Sequence, residues 1–155
     1  MISLICVSND YDKLNTILKA SLSRQKNVEY ELIIVDSKKY KFNSAAEALN
    51  FGGKQAKGDY LFFIHHDISF QDDFELAELE SYCKKFSFGV AGVAGVKNIE
   101  GKVATFSNIF HGEQKTKAAN KSISTPVEVD VIDECLIIVP NKVFSKNQFS
   151  LIGPT

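Results

Sequence analysis

At 155 residues and a formal charge of −1, the chain has the length of one domain and no charge surplus for a nucleic-acid partner. Its hydrophobic share of 45% supports a packed core, and no apolar run reaches membrane-spanning length. Cys6, Cys83 and Cys135 share no metal-ligand spacing, and Cys6 and Cys135 lie in apolar runs, which predicts core thiols in a reducing compartment. Met1 leads straight into apolar residues with no basic leader segment, so a cytoplasmic protein is expected.

Residues 2–7 form a short apolar strand, and Ser8, Asn9 and Asp10 after it are helix-capping types. From residue 10 to about 25, Leu14, Ile17, Leu18 and Leu22 recur at helical spacing. A second strand over 30–35 closes on Asp36 and Ser37, and a basic, aromatic loop follows at 38–42. Ser44 and Glu47 form a capping box, and Ala45, Ala46, Leu49, Gly53 and Ala56 give that helix a small face able to lie close on a sheet, with Gly58 ending it.

Tyr60 to Ile64 is an apolar run suited to a buried strand, broken off by His65, His66 and Asp67. Asp72 and Glu75 predict a second capping box and a helix through Leu76, Leu79 and Cys83. Residues 88–96 carry Gly89, Gly92 and Gly95 and read as a tightly packed strand rather than a phosphate loop, since no helix pattern follows. Further strands are expected over 102–110 and 127–139. A polar, mobile loop is expected at 112–125, and a helix within 141–149.

The strand–helix alternation of the first half predicts a single α/β domain over 1–155. It is a three-layer α/β/α sandwich whose mostly parallel sheet becomes mixed in the second half. The polar clusters 8–10, 36–37 and 65–67 should then share one carboxyl edge, where ligands bind in open α/β sheets. Asp36 is a short acceptor suited to a base or ribose, with Ser8 and Asn9 adding polar contacts. Asp67, with His65, could seat Mg²⁺ or Mn²⁺ bridging two phosphates. In extended geometry His66 points to the other face, which favours a structural role.

Four segments resemble the family-two glycosyltransferases: Ile-Ser-Leu-Ile-Cys-Val-Ser-Asn at 2–9, Leu-Ile-Ile-Val-Asp at 32–36, Ser-Ala-Ala-Glu-Ala-Leu-Asn at 44–50, and Ala-Lys-Gly-Asp-Tyr-Leu-Phe-Phe-Ile-His-His-Asp at 56–67. The resemblance is to the subgroup with His-x-Asp in place of Asp-x-Asp, and it extends over about the first hundred residues. It implies a GT-A fold and inverting transfer of a sugar from a nucleoside-diphosphate sugar, UDP-linked, to an acceptor hydroxyl, a saccharide being one candidate acceptor. By position it implies nucleotide contacts at Val7, Ser8, Asn9, Asp36, Asn50 and His65, and a metal at His65 and Asp67. Polysaccharide synthesis at the inner face of the membrane is a common setting for the family.

Residues 127–136 resemble the acceptor-side strand, where Asp133 is the candidate base and Glu134 its neighbour on the opposite face. The family's usual downstream acceptor segment is not found before Thr155, so the acceptor half is expected to be incomplete. Two other readings remain open: a non-catalytic nucleotide-sugar-binding module, and a metallohydrolase built on His65, His66, Asp67 and His111.

Overall fold

The computed structural model describes residues 1–112, 115–117, 119 and 123–150. Residues 113, 114, 118 and 120–122, within the loop expected at 112–125, lie outside the described residues, as do 151–155.

Strands β1 (Ile2–Ser8), β2 (Tyr30–Asp36) and β3 (Tyr60–Ile64) are parallel. The central sheet continues with β4 (Ala91–Gly92) and β10 (Leu136–Pro140) in the order β2-β1-β3-β10-β4, with β10 antiparallel to both its neighbours. The mixed α/β architecture with a mostly parallel sheet is thus as expected.

Alternation along the strands makes the layers. Ile2, Leu4, Cys6, Phe62 and Ile64 face one side and pack with Leu14, Leu18, Leu22, Leu76 and Cys83 of two helical segments. Ile5, Leu61, Phe63 and Val139 face the other and pack with Leu49 and Phe144. Asp10 caps the first helical segment, residues 11–22, by accepting the Lys13 N–H at 3.0 Å, and the segment widens to π-helical turns over Leu14–Lys19.

Ser44 caps the Ala45–Gly53 helix by accepting the Glu47 N–H at 3.1 Å. This helix lies close on the sheet: a Cβ on Gly52 would stand 2.5 Å from Ile5 Cγ2. It ends at Gly53, not at Gly58. Gly58 instead passes beneath β1, where its N–H bonds Ser3 Oγ at 2.8 Å and a Cβ would meet the Ser3 backbone nitrogen at 2.7 Å. Close backbone approach, rather than helix termination, requires this glycine.

The other helices also begin later or end sooner than expected. Asp72 caps a turn through the Phe74 N–H at 2.7 Å, and the helix runs only over Glu75–Lys85. The C-terminal helix is one turn, Asn141–Phe144.

The expected strand at 88–96 breaks at Val93. Its second part, β5 (Ala94–Ile99), leaves the central sheet and joins β6 (Lys102–Ser107) and β9 (Val131–Ile132) in a small antiparallel sheet. Gly95 packs against that sheet's approach: a Cβ there would lie 2.8 Å from both Val129 Cγ2 and the Val131 carbonyl. The expected 102–110 strand likewise divides into β6 and β7 (Phe110–His111), which pairs with β8 (Thr116–Lys117). The expected 127–139 strand divides into β9 and β10, with a turn between them.

Candidate functional site

The parallel register brings the strand ends together. Ser8 stands opposite Asp36 across β1 and β2, and Ile5 opposite Phe63 across β1 and β3, so His65 to Asp67 emerge beside the end of β1. Because β10 runs antiparallel to β3 with Leu136 opposite Ile64, the turn entering β10 stands on the same edge. The His65 N–H donates to the Cys135 carbonyl at 3.1 Å and ties the two together. Residues 8–10, 36–37, 65–67 and 133–135 therefore share one rim.

On the first face of the rim the polar groups hold one another. Ser8 is buried, and its hydroxyl accepts the Asp10 N–H at 3.2 Å and lies 3.3 Å from His66 Nδ1. His66 thus turns away from His65 and braces β1. Asp36 accepts the backbone N–H groups of Lys38 and Lys39 on Oδ1, at 2.8 and 3.1 Å, and the Tyr11 hydroxyl on Oδ2 at 2.9 Å. The Lys39 N–H and the Tyr11 hydroxyl hold its carboxyl below the usual carboxylate range. Asp36 therefore organises its own turn while standing at the rim. Asn9 and Asp67 are exposed, and neither side chain has a hydrogen-bond or ion-pair partner among the described residues.

On the second face the rim overhangs a cleft of about 340 Å³, whose walls include Val7, Leu49, Phe63, His65, Glu134 and Phe149. Two expected residues, Val7 and His65, line it together. Asp133 does not. Its Oδ1 accepts the Cys135 N–H at 2.9 Å, and hydrogen bonds from the Cys135 thiol and backbone, aided by the nearby His65 and His111, keep its carboxyl below the usual range. Burial, then the hydrogen bond to Asp133, pushes the Cys135 thiol up to about 12. Of the two acids, Glu134 is the one at the cleft wall.

Asn50 is buried, and both ends of its amide are engaged by one residue. Its Nδ2 donates to the Phe149 carbonyl at 2.9 Å, and its Oδ1 accepts the Phe149 N–H at 3.0 Å. The Phe149 ring meets Phe63 edge-on at 4.9 Å, so the segment seals one side of the cleft. Sequence reasoning missed the partners Tyr11 and Phe149. Asn50 and Phe149 are 99 residues apart, and no local pattern signals such a pair.

Among the described residues no group of three His, Cys, Asp or Glu side chains could hold a metal ion by itself. His65 and Asp67 would supply two ligands at most, so a cation there would need phosphate oxygens and water to complete its coordination. Among the described residues no helix is long and apolar enough to cross a membrane.

No family model matches the sequence, and no curated protein matches it. Solved structures do. The crystal structure of S. aureus TarS 1-349 superposes with a TM-score of 0.57 at 16% identity, covering 94% of this chain and 48% of that one. The same TarS fragment in complex with UDP-GlcNAc gives a TM-score of 0.48 at 18% identity, covering 65% of this chain and 36% of that one. The chain thus spans less than half the length of these structures. The likeness to TarS 1-349 shows the fold: a GT-A-like α/β arrangement around a mostly parallel sheet.

Proposed function

We propose that the cleft beneath His65 and Glu134 receives a nucleoside-diphosphate sugar, and that the chain is the donor-binding part of an inverting, family-two-like glycosyltransferase. The observation that carries this is the shared rim: three parallel strand ends and the turn entering β10 bring Ser8, Asp36, His65, Asp67 and Glu134 to one edge of the sheet, with His65 and Glu134 at the cleft. TarS has been crystallised with UDP-GlcNAc, and a UDP-sugar is the donor proposed here.

Asp36, at the outer end of the rim, is suited to accept from the base or ribose while keeping its turn. The exposed, unpartnered Asp67 and the neighbouring His65 would hold Mg²⁺ or Mn²⁺ together with the diphosphate. The cation would neutralise charge on the departing diphosphate. A cleft carboxylate would remove the acceptor hydroxyl proton as that oxygen bonds to the anomeric carbon and the bond to the diphosphate breaks. Glu134 is better situated for this than Asp133, whose lowered basicity and bond to the Cys135 N–H suit it to positioning the turn.

Titration calorimetry with UDP-GlcNAc and Mn²⁺ tests the reading. Binding is expected for the unaltered chain and at least about tenfold weaker binding for Asp67→Ala, the loss of one charge-assisted ligand. No binding, or equal binding by the variant, overturns it. The engagement of Asp133 and Asn50 in structural bonds favours a second reading, a module that binds the donor without transferring it. Slow UDP release from bound UDP-GlcNAc, abolished in Glu134→Gln, separates the transferase from the module.

A further inference from the structure

The loop after β2 and the Ala45–Gly53 helix build a second concavity, separate from the cleft under His65. Tyr40, Phe42 and Phe51 form a three-ring cluster with centroids 5.1 to 5.9 Å apart. Tyr40 and Phe51 remain 38% and 39% exposed. Beside the rings is a hollow of about 270 Å³ walled by Phe42, Phe51, Glu47, Asn50, Lys54 and Gln148. Ala45, Ala46 and Leu49 of the same helix wall the other cleft, so one helix separates the two.

The wall of the hollow carries one acid, Glu47, and one base, Lys54, and Lys39 adds a second base at the ring cluster. Glu47 accepts the Asn43 backbone N–H at 2.7 Å and its side-chain amide at 3.2 Å, which ties it to the loop. Lys39, Lys41 and Lys54 form no ion pair among the described residues. Lys39 sits 5.3 Å from the Tyr40 ring centroid, which brings its ammonium to the aromatic surface. Gln148 is exposed and forms no side-chain hydrogen bond among the described residues.

We infer that this hollow is a binding site for an anionic saccharide, one bearing carboxylate or phosphate groups. Exposed rings suit the flat C–H face of a sugar, the free Gln148 amide suits its hydroxyls, and Lys54 and Lys39, neither of them in an ion pair and together outnumbering Glu47, suit its anion. The hollow has room for about one sugar ring, against the several hundred Å³ of a drug-sized site. Cluster and lysines would also suit a single-stranded nucleic acid. The chain's near-neutral charge and the absence of arginine from residues 36–56 favour the saccharide. The inference does not depend on what binds beneath His65.

The test is amide chemical-shift mapping on the whole chain, with trigalacturonate as the carboxylate probe, glucose 6-phosphate as the phosphate probe, maltotriose as the neutral control and a uridine hexanucleotide as the competitor class. Shifts are expected around Tyr40, Phe42, Phe51, Lys54 and Gln148 with at least one anionic sugar. They should be weaker with maltotriose and should decline as salt rises. Lys54→Glu and Phe51→Ala should each weaken binding about tenfold, and Lys54→Glu, at an exposed position, should leave the fold unchanged by circular dichroism. Three results overturn the proposal: no shift with either anionic sugar, tighter binding of the hexanucleotide, or shifts at these residues that arise only from self-association on concentrating the protein.

Discussion

The two halves of the molecule are built on different physics. Residues 1–85 place three parallel strands between helical layers, and most of the core comes from their side chains: Ile2, Leu4, Ile5, Phe62 and Phe63 are essentially sealed from water. A parallel strand buried on both faces has only one register that satisfies both layers. The small sheet β6-β5-β9 is covered far less. Val103 is 73% and Val131 63% exposed, on strands of six and two residues. The fixed half sets the rim, and the half with fewer constraints adds one turn to it, residues 133–135. In this chain the positions of Asp36 and His65 follow from the sheet's register, whereas that of Glu134 depends on where β9 gives way to β10.

Mutation should separate the halves most sharply. Phe62→Ala empties a sealed position and is expected to cost about 3–5 kcal/mol. Val103→Ala should stay within about 0.5 kcal/mol, as for other exposed surface sites. Urea unfolding of both variants measures this, and similar losses would mean that the small sheet is as tightly packed as the large one. A smaller effect is expected at the strap that links the halves. Asn50→Ala deletes two hydrogen bonds and leaves the Phe149 backbone groups without partners, for a loss of about 1–3 kcal/mol. If Asn50 serves chiefly to hold this strap, Asn50→Ala should lower the urea midpoint and leave UDP-GlcNAc affinity within about threefold, less than one kcal/mol.

The difference between the halves also decided what could be read from sequence. The largely apolar runs at 2–7, 30–35 and 60–64 announced the parallel strands, because a strand covered on both faces reads as a near-continuous apolar stretch. Their polar ends announced the rim. The second half resisted because its breaks are set by tertiary contact. Val93 ends one strand where the chain moves between sheets, and Asp133 starts a turn by accepting the Cys135 N–H, which a continuous run of strand-forming residues does not signal. Gly58 misled for a related reason. A glycine after a helical pattern reads as a terminator, but here it is needed for passage beneath Ser3, a contact made only once β1 is in place. Asn50 stood out only through the family resemblance, as a nucleotide contact, and its partner at Phe149 was not legible.

The smallest effect expected is electrostatic and belongs to the fixed half. The Asp36 carboxyl is held below its ordinary range first by the Lys39 N–H and then by the Tyr11 hydroxyl, so it binds its proton less readily folded than unfolded. The stability it contributes is therefore present above the ordinary carboxylate value of about 3.9 and is lost as the pH falls through the lower, folded value. The group is exposed, so the effect should be confined to the turn. In an acid titration followed by amide shifts, Lys38 and Lys39 should move together at a pH below the ordinary aspartate midpoint, and Tyr11→Phe should raise that midpoint by removing one donor to the charged form. An unchanged midpoint in Tyr11→Phe would mean that the backbone donors alone hold Asp36, and that the end of the rim is fixed by its turn without help from the first helix.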